Sequence, residues 1–295
     1  MALKNEVLRS INIYGLDFQT RLMFGLDTTP EENESLNELW GVHPDLTPRP
    51  TDKPPFIQYF AIGNKGHRNV VIGDGYQSTE LNQHRTSDAG LFEYVPFIAR
   101  RIADDLSTEE RRNYGMRVPR EINGEAWVLY YFKVIDLSST AVEKTKVTVN
   151  NGVETIEPFN AESSDLTPTP PDVPNPGNNP VNGTTLFALA NVPIHLTALE
   201  LSEVRTACEL VFGNTAYAHI SEIQLIRATK RPAELLDINF QGTGVNYDEA
   251  IQAVGCFFIS GSWPIRFMDE LDFTIDGGGG VPLLGPSQTV TVQNP

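Results

Sequence analysis

The side chains best able to act as bases, nucleophiles or metal ligands near neutral pH are His43, His67, His84, His195, His219, Cys208 and Cys256. No two of these histidines stand four residues apart and no H-E-x-x-H occurs, so the helical zinc pattern is missing. His84 and Asp88 are four apart in a polar loop. With His67 they make one acid–base combination, within residues 63–90, that a hydrolase would use. His219 alternates with Ala218 and Ile220 as in a strand, which is a structural position. Cys208 lies in LSEVRTACELVF and Cys256 in AVGCFFIS. Apolar surroundings keep a thiol protonated, so both are expected as buried free thiols and poor nucleophiles, with a disulfide between them left open.

Other chemical signatures fall short on context. Gly63-Asn64-Lys65-Gly66-His67 lacks the Ser or Thr and the helix that a phosphate loop needs after its Lys. Ser260-Gly261-Ser262-Trp263 follows a strand, but Pro264 argues against the helix of a nucleophile elbow. The carboxylate pairs Asp104-Asp105 and Asp269-Glu270 are adjacent in sequence, which rarely places both in one cleft. Asp272 to Asp276-Gly277 lacks the alternating ligands and terminal Glu of a calcium loop. Asn182-Gly183-Thr184 fits a glycosylation acceptor and, without a secretory signal, marks only a loop. No catalytic residue, metal or cofactor is therefore expected.

The elements that would position any site have their own pattern. The 295 residues carry 22 basic and 38 acidic side chains, a formal charge of −16, which repels a phosphate backbone. The Arg residues sit beside acids, as in Arg100-Arg101 before Asp104-Asp105, so they read as ion-paired faces. Neither nucleic acid nor a membrane is expected as partner; no run approaches the ~20 apolar residues of a span. The N-terminus lacks an apolar signal core, and two cysteines are too few for a secreted scaffold, so folding in a reducing cytoplasm is expected.

Residues 1–27 alternate apolar and polar types and predict an extended arm. Thr29-Pro30-Glu31-Glu32 predicts a helix start, ending near Trp40-Gly41. Residues 43–55 hold five prolines and predict an extended connector. A strand is expected at 56–62. Val95, Ile98, Ala99, Ile102 and Leu106 predict a helix over 92–106, with a capped short helix opening at Ser107. Residues 126–137, with Trp127, Tyr130, Tyr131 and Phe132, read as a buried strand. Asn151-Gly152 between β-branched runs predicts a hairpin over 144–157. Residues 165–184 hold six prolines and predict a linker or arm. Strands are expected at 185–195, 217–227, 234–240, 251–260 and 271–275, and Thr197 with Glu200 caps a helix over 198–212.

The fold class is then α+β, mostly antiparallel, with a sandwich-like core, a few short helices and extended arms. The expected division is an arm, short helix and connector at 1–55, an α+β domain at 56–164, the linker 165–184, a β-rich domain at 185–276 and an arm at 277–295 hinged at Gly277 to Gly280. Strand-like termini can add to a neighbour's sheet edge. This places partner contacts at Ile11, Ile13, Phe18 and Phe24 in the first arm and at Val290 and Val292 in the last.

The segments RRNYGMRVPREINGEAWVLYYFKVIDL (111–137), DLTPTPP (165–171), ACELVFGNTAYAHISEIQLIRA (207–228) and CFFISGSWPIRFMDELDFTIDGG (256–278) resemble structural proteins in the virions of large tailed bacteriophages. The resemblance covers neck, tail and baseplate components. It implies a non-enzymatic ring or wedge subunit without cofactor, made in the host bacterial cytoplasm and located in the virion. Its partners would be other copies of itself and other virion proteins. The alternative is a receptor- or carbohydrate-binding decoration module, with Trp263 and Tyr76 as contact candidates.

Overall fold

The computed structural model describes residues 7–72, 76–150, 153–160, 183–261, 264–266 and 271–282. The elements run β1 (Val7–Ile11), α1 (Ile13–Phe24), α2 (Leu36–Trp40), β2 (Phe56–Gly63), β3 (His67–Ile72), β4 (Tyr76–Leu81), β5 (Tyr94–Val95), β6 (Ile98–Arg101), α3 (Thr108–Arg111), β7 (Arg117–Ile122), β8 (Glu125–Tyr130) and β9 (Lys133–Val134). They continue with β10 (Val142–Asn150), β11 (Val153–Pro158), β12 (Gly183–Leu196), α4 (Ala198–Phe212), β13 (His219–Ile220), β14 (Glu222–Leu236), β15 (Gly242–Gly261), β16 (Ile265–Arg266) and β17 (Leu271–Pro282). The fold is α+β and mostly antiparallel, as the period-two pattern predicts.

The chain divides into two compact units: Met1–Asp136 with His195–Asp272, and Leu137–Ile194 with Phe273–Pro295. This differs from the sequential division expected. Strand β2 pairs with β14 and β1 pairs with β15, so residues 56–63 and 222–236 belong to one sheet and cannot be separate domains.

The first unit is built on a sheet ordered β1-β15-β14-β2-β5, with β9 also pairing β2. Its spine is the long hairpin β14–β15, closed at Asp237, whose side chain accepts from the Asn239 and Gln241 amides. The strand expected at 234–240 is therefore split by this turn. A three-stranded sheet, β6-β8-β7, lies in the same unit. The core centres on Trp40, stacked on Tyr131 at 4.8 Å and edge-on to Tyr94 at 4.7 Å and Phe132 at 5.5 Å. Such ring pairs add about 0.5–1.5 kcal/mol each beyond their buried area. The aromatic run 130–132 is thus core, as expected, but the strand expected over 126–137 breaks into β8 and β9, with Tyr131 and Phe132 between them.

Three local expectations give way. Residues 13–24 form helix α1 instead of an extended arm; Asn12 caps it through the Gly15 amide, and Gly25 ends it at φ 62°. Residues 92–106 form β5, β6 and one short 3-10 turn, because Pro96 removes a helical donor and biases Val95 away from the helical region. The helix expected from Thr29 begins at the capping box of Ser35 and Glu38 and ends at Gly41, as expected. By contrast α3 and α4 start where their capping boxes place them.

The second unit holds most of a sheet ordered β11-β10-β12-β17. Strands β10 and β11 pair from Thr145↔Pro158 to Asn150↔Val153, which is the predicted hairpin. Gly277 to Gly280 lie inside β17 and make no free hinge. Lacking side chains, they let the strand pass close to its neighbour: a Cβ on Gly280 would sit 2.4 Å from the Phe187 ring.

Candidate functional site

The sheet of the first unit carries its polar residues inside. Along β14, Glu222, Gln224, Arg227 and Thr229 are all buried. Glu222 and Gln224 both secure the stretch from His84 to Tyr94, and Arg227 secures the segment after α1. The Gln224 amide donates to the Ala89 carbonyl at 2.8 Å and its Oε1 accepts from the Tyr94 hydroxyl at 2.7 Å. Arg227 donates to the Thr28 carbonyl at 2.9 Å and lies over the Phe18 ring at 4.6 Å. Glu222 holds His84. Two buried asparagines do similar work: Asn12 donates to the carbonyls of Asp88 and Gly255, and Asn37 donates to Val42 and Ala250 while accepting from Ala253.

His84 is the centre of the acid–base cluster that the sequence singles out. Its ring is sandwiched between Phe258, at 3.8 Å and 4°, and Phe92, at 4.1 Å and 15°. Nε2 donates to Glu222 Oε2 at 2.7 Å, and Nδ1 stands 3.5 Å from Asp88 Oδ2. The His84 side chain is 3% exposed and that of Glu222 0%. The Phe92 and Glu93 amides approach the Glu222 carboxylate at 3.4 Å. Nε2 is thus engaged by Glu222, while Nδ1 faces Asp88 without a hydrogen bond. A cleft of about 230 Å³ beside this cluster is lined by Ser10, Ser260, Asn82 and Phe258, and the His84 ring is held at its wall by the Glu222 bond and the two phenylalanines. His67 sits on β3 with Nε2 3.0 Å from the Gly261 carbonyl. The structure brings His84 and Asp88 together and adds Glu222. A strand in which polar and apolar residues alternate reads as half solvated, which hides Glu222 from sequence reasoning.

The remaining reactive groups are muted by burial. Cys208 and Cys256 are free and buried, and desolvation pushes their thiols up to about 12 and about 11. Glu249 is fully buried; desolvation raises its carboxyl well above the ordinary range, against the weaker pull of the Arg117 amide and charge. Lys65, in the loop with phosphate-loop-like glycines, is bound to Glu93 at 2.6 Å. A second cleft, about 180 Å³, includes Arg111, Arg112 and Asp248; its two cations face Asp105 and Glu109. Among the described residues no group of three or more His, Cys, Asp or Glu side chains is arranged to hold a metal ion, and no helix is long and apolar enough to cross a membrane.

The surface departs from this economy at α1. Gly15 and Phe18 face inward, and a Cβ on Gly15 would sit 2.5 Å from the Cys256 carbonyl, so the helix lies hard against β15. On the opposite side, Ile13 is 51%, Leu16 46%, Met23 70% and Phe24 71% exposed. At 100° per residue these four, with Thr20 between them, span an arc of about 100° centred opposite the buried face. Of the expected partner contacts, Ile13 and Phe24 are thus free at the surface. Phe18 is buried and Ile11 is half-buried in β1, paired with Phe257. Residues 7–27 do not form an arm reaching away, because β1 completes a sheet edge and Asn12 pins the turn after it, while residues 1–6 of the expected arm lie outside the described residues. Val290, Val292 and Trp263 lie outside the described residues, and Tyr76 opens β4.

These features define a β-rich α+β protein whose buried polar clusters brace loops and which, among the described residues, carries a long exposed apolar stripe on its first helix. The chain belongs to a family of unknown function, DUF7208, whose model matches residues 2–292. No curated protein and no solved structure matches it.

Proposed function

We propose that the protein is a non-enzymatic structural subunit of a tailed-phage virion, in the tail, baseplate or neck, assembling with copies of itself and with other virion proteins. The observation that carries the assembly role is the α1 stripe. Four large apolar side chains stay in water on the outer side of a helix that turns Gly15 and Phe18 inward, and such a patch marks a binding surface more often than an accident of folding. The virion itself enters through the texture of residues 111–137, 165–171, 207–228 and 256–278. Support against catalysis comes from His84, buried between two phenylalanines and bound to the buried Glu222, and from two thiols pushed far above neutrality.

Gradient sedimentation of a lysate from the producing cells, followed by quantitative mass spectrometry, tests this. The chain should travel with fast-sedimenting particles at a fixed ratio to their other proteins. Recovery only as a free 32.7 kDa species would overturn the proposal.

A further inference from the structure

We infer that the exposed stripe of α1 docks an amphipathic helix of a different protein, one whose apolar seam is flanked by Lys or Arg, and not a second copy of this chain. The inference rests on the assembly role and names the partner's chemistry.

The stripe has the form of a helix seam. Ile13, Leu16, Thr20 and Met23 are spaced three, four and three, the alternation that keeps one edge of a helix facing another helix. Phe24 widens the seam at its C-terminal end. Twelve residues at 1.5 Å each give about 18 Å, or three turns, of contact length.

The flank decides between occupants. From Asn12 to Ser35 the chain carries five acids, Asp17, Asp27, Glu31, Glu32 and Glu34, against the single base Arg21, a balance of 1 − 5 = −4. Arg21 is already engaged, by Asp17 at 2.7 Å and Glu31 at 3.6 Å, and it also donates to the Asp27 carbonyl. The segment after the helix thus folds back along its Tyr14 and Arg21 side, where Glu34 and Asp88 add negative charge near the Tyr14 hydroxyl. The Asp27 carboxyl is held below its ordinary value by hydrogen bonds from Thr29, so Asp27 keeps its charge further into the acid range. An apolar seam beside uncompensated acids is complementary to an apolar seam beside bases. A second copy, itself at −16, would set acid against acid in an isologous contact.

The test uses two synthetic, dye-labelled helical peptides with the same Leu seam, one with a Lys flank and one with a Glu flank. Each is titrated against the full chain by fluorescence anisotropy at about 50 mM salt. The Lys-flanked peptide should bind on the order of tenfold tighter or more, and the gap should narrow at about 500 mM salt, where the screening length falls to about 4 Å. Binding should disappear in L16D/F24D and persist in Leu199→Asp, which alters an equally exposed leucine elsewhere, with circular dichroism confirming that both variants are folded. D17K/E31K brings the balance of this segment from −4 to 3 − 3 = 0 and should erase most of the preference between the two peptides. Equal binding of the two by the parent chain, no binding of either, loss in Leu199→Asp or an undiminished preference in D17K/E31K overturns the inference. So does a dimer in light scattering that Phe24→Asp dissociates, which would make a second copy the occupant. The two proposals fail separately. Selective peptide binding by a chain absent from every particle sinks the virion role alone, and a particle-bound chain with no peptide preference sinks the partner chemistry alone.

Discussion

The two units solve the same problem, burying an antiparallel sheet, to very different degrees. In the first, β14 is buried along its first eight residues, and the polar side chains on it are spent on tying down the loops that cover it. In the second, the described residues contribute only Val192, Ile194 and Ile275 to the buried apolar set, while Val142, Val153 and Ile156 of the β10–β11 hairpin are each about two-thirds exposed. Sheets of few strands need a covered hydrophobic face to be stable by themselves. Stability should therefore reside in the first unit, and the hairpin should be a surface. Substitutions that act through the buried clamps should be severe, and those on the hairpin nearly silent.

The largest effect is expected at His84. Removing it leaves the Glu222 carboxylate fully buried with only two amide contacts at 3.4 Å. Breaking one side of such a pair costs about 3–5 kcal/mol. Urea unfolding of His84→Ala should show this loss, and Glu222→Leu added to it should restore part of it, since the pair removed together leaves no orphan charge. If His84→Ala changes stability by less than about 1 kcal/mol, the clamp is not what holds the 82–93 loop.

Next comes Asn37→Ala. The Asn37 side chain fills three hydrogen bonds between α2, the turn after it and β15, at 2.9 Å each. Its loss strands the Ala253 amide and two carbonyls in the core, for about 2–3 kcal/mol. The same measurement checks it, and a shift in the denaturant midpoint without a change in slope is expected.

How much of this was legible depended on whether local chemistry or long-range contact decided the outcome. Capping boxes at Ser107 and Thr197, the Asn151-Gly152 turn signal and the aromatic strand near 130 were readable because each is settled within a few residues. Helix α1 was not: its outer face is as apolar as its inner one, so the 3.6-residue period that separates a buried from a wet face is blurred. Residues 92–106 show the reverse error, where a helical spacing was overridden by Pro96 and by the free edge of β8 that Ile98–Arg101 pairs with. Of the candidate cluster, His84 and Asp88 could be seen, being four apart. Glu222 could not, lying 138 residues from His84 on a strand whose alternation imitates a solvated face.

Glu249 offers a smaller effect with a distinctive pH signature. Its carboxyl is raised in the folded state by desolvation, so the folded protein holds a proton that the unfolded chain releases near the ordinary value of 4.5. The stability this group confers is therefore fully present below about pH 4.5 and is lost as the pH rises toward its folded value. Glu249→Gln cannot ionise. Its stability relative to the parent should increase between pH 5 and pH 8, by on the order of 1–2 kcal/mol, in paired denaturation curves. A difference that is flat across this range would mean that Glu249 is as well solvated when charged as any surface carboxylate.

The smallest effect is also the one that most directly challenges the contrast between the units. Ile156 is 65% exposed on β11, an edge strand whose residues are exposed throughout. An aspartate there loses little packing, and its charge stays in water beside Glu154 and Glu157. Ile156→Asp should change stability by no more than about 0.5 kcal/mol, the usual range for a surface site. A loss near that of His84→Ala would show the hairpin face to be covered in solution. The sheet of the second unit would then be a core in its own right, and among the described residues α1 would be the large apolar surface left for a partner.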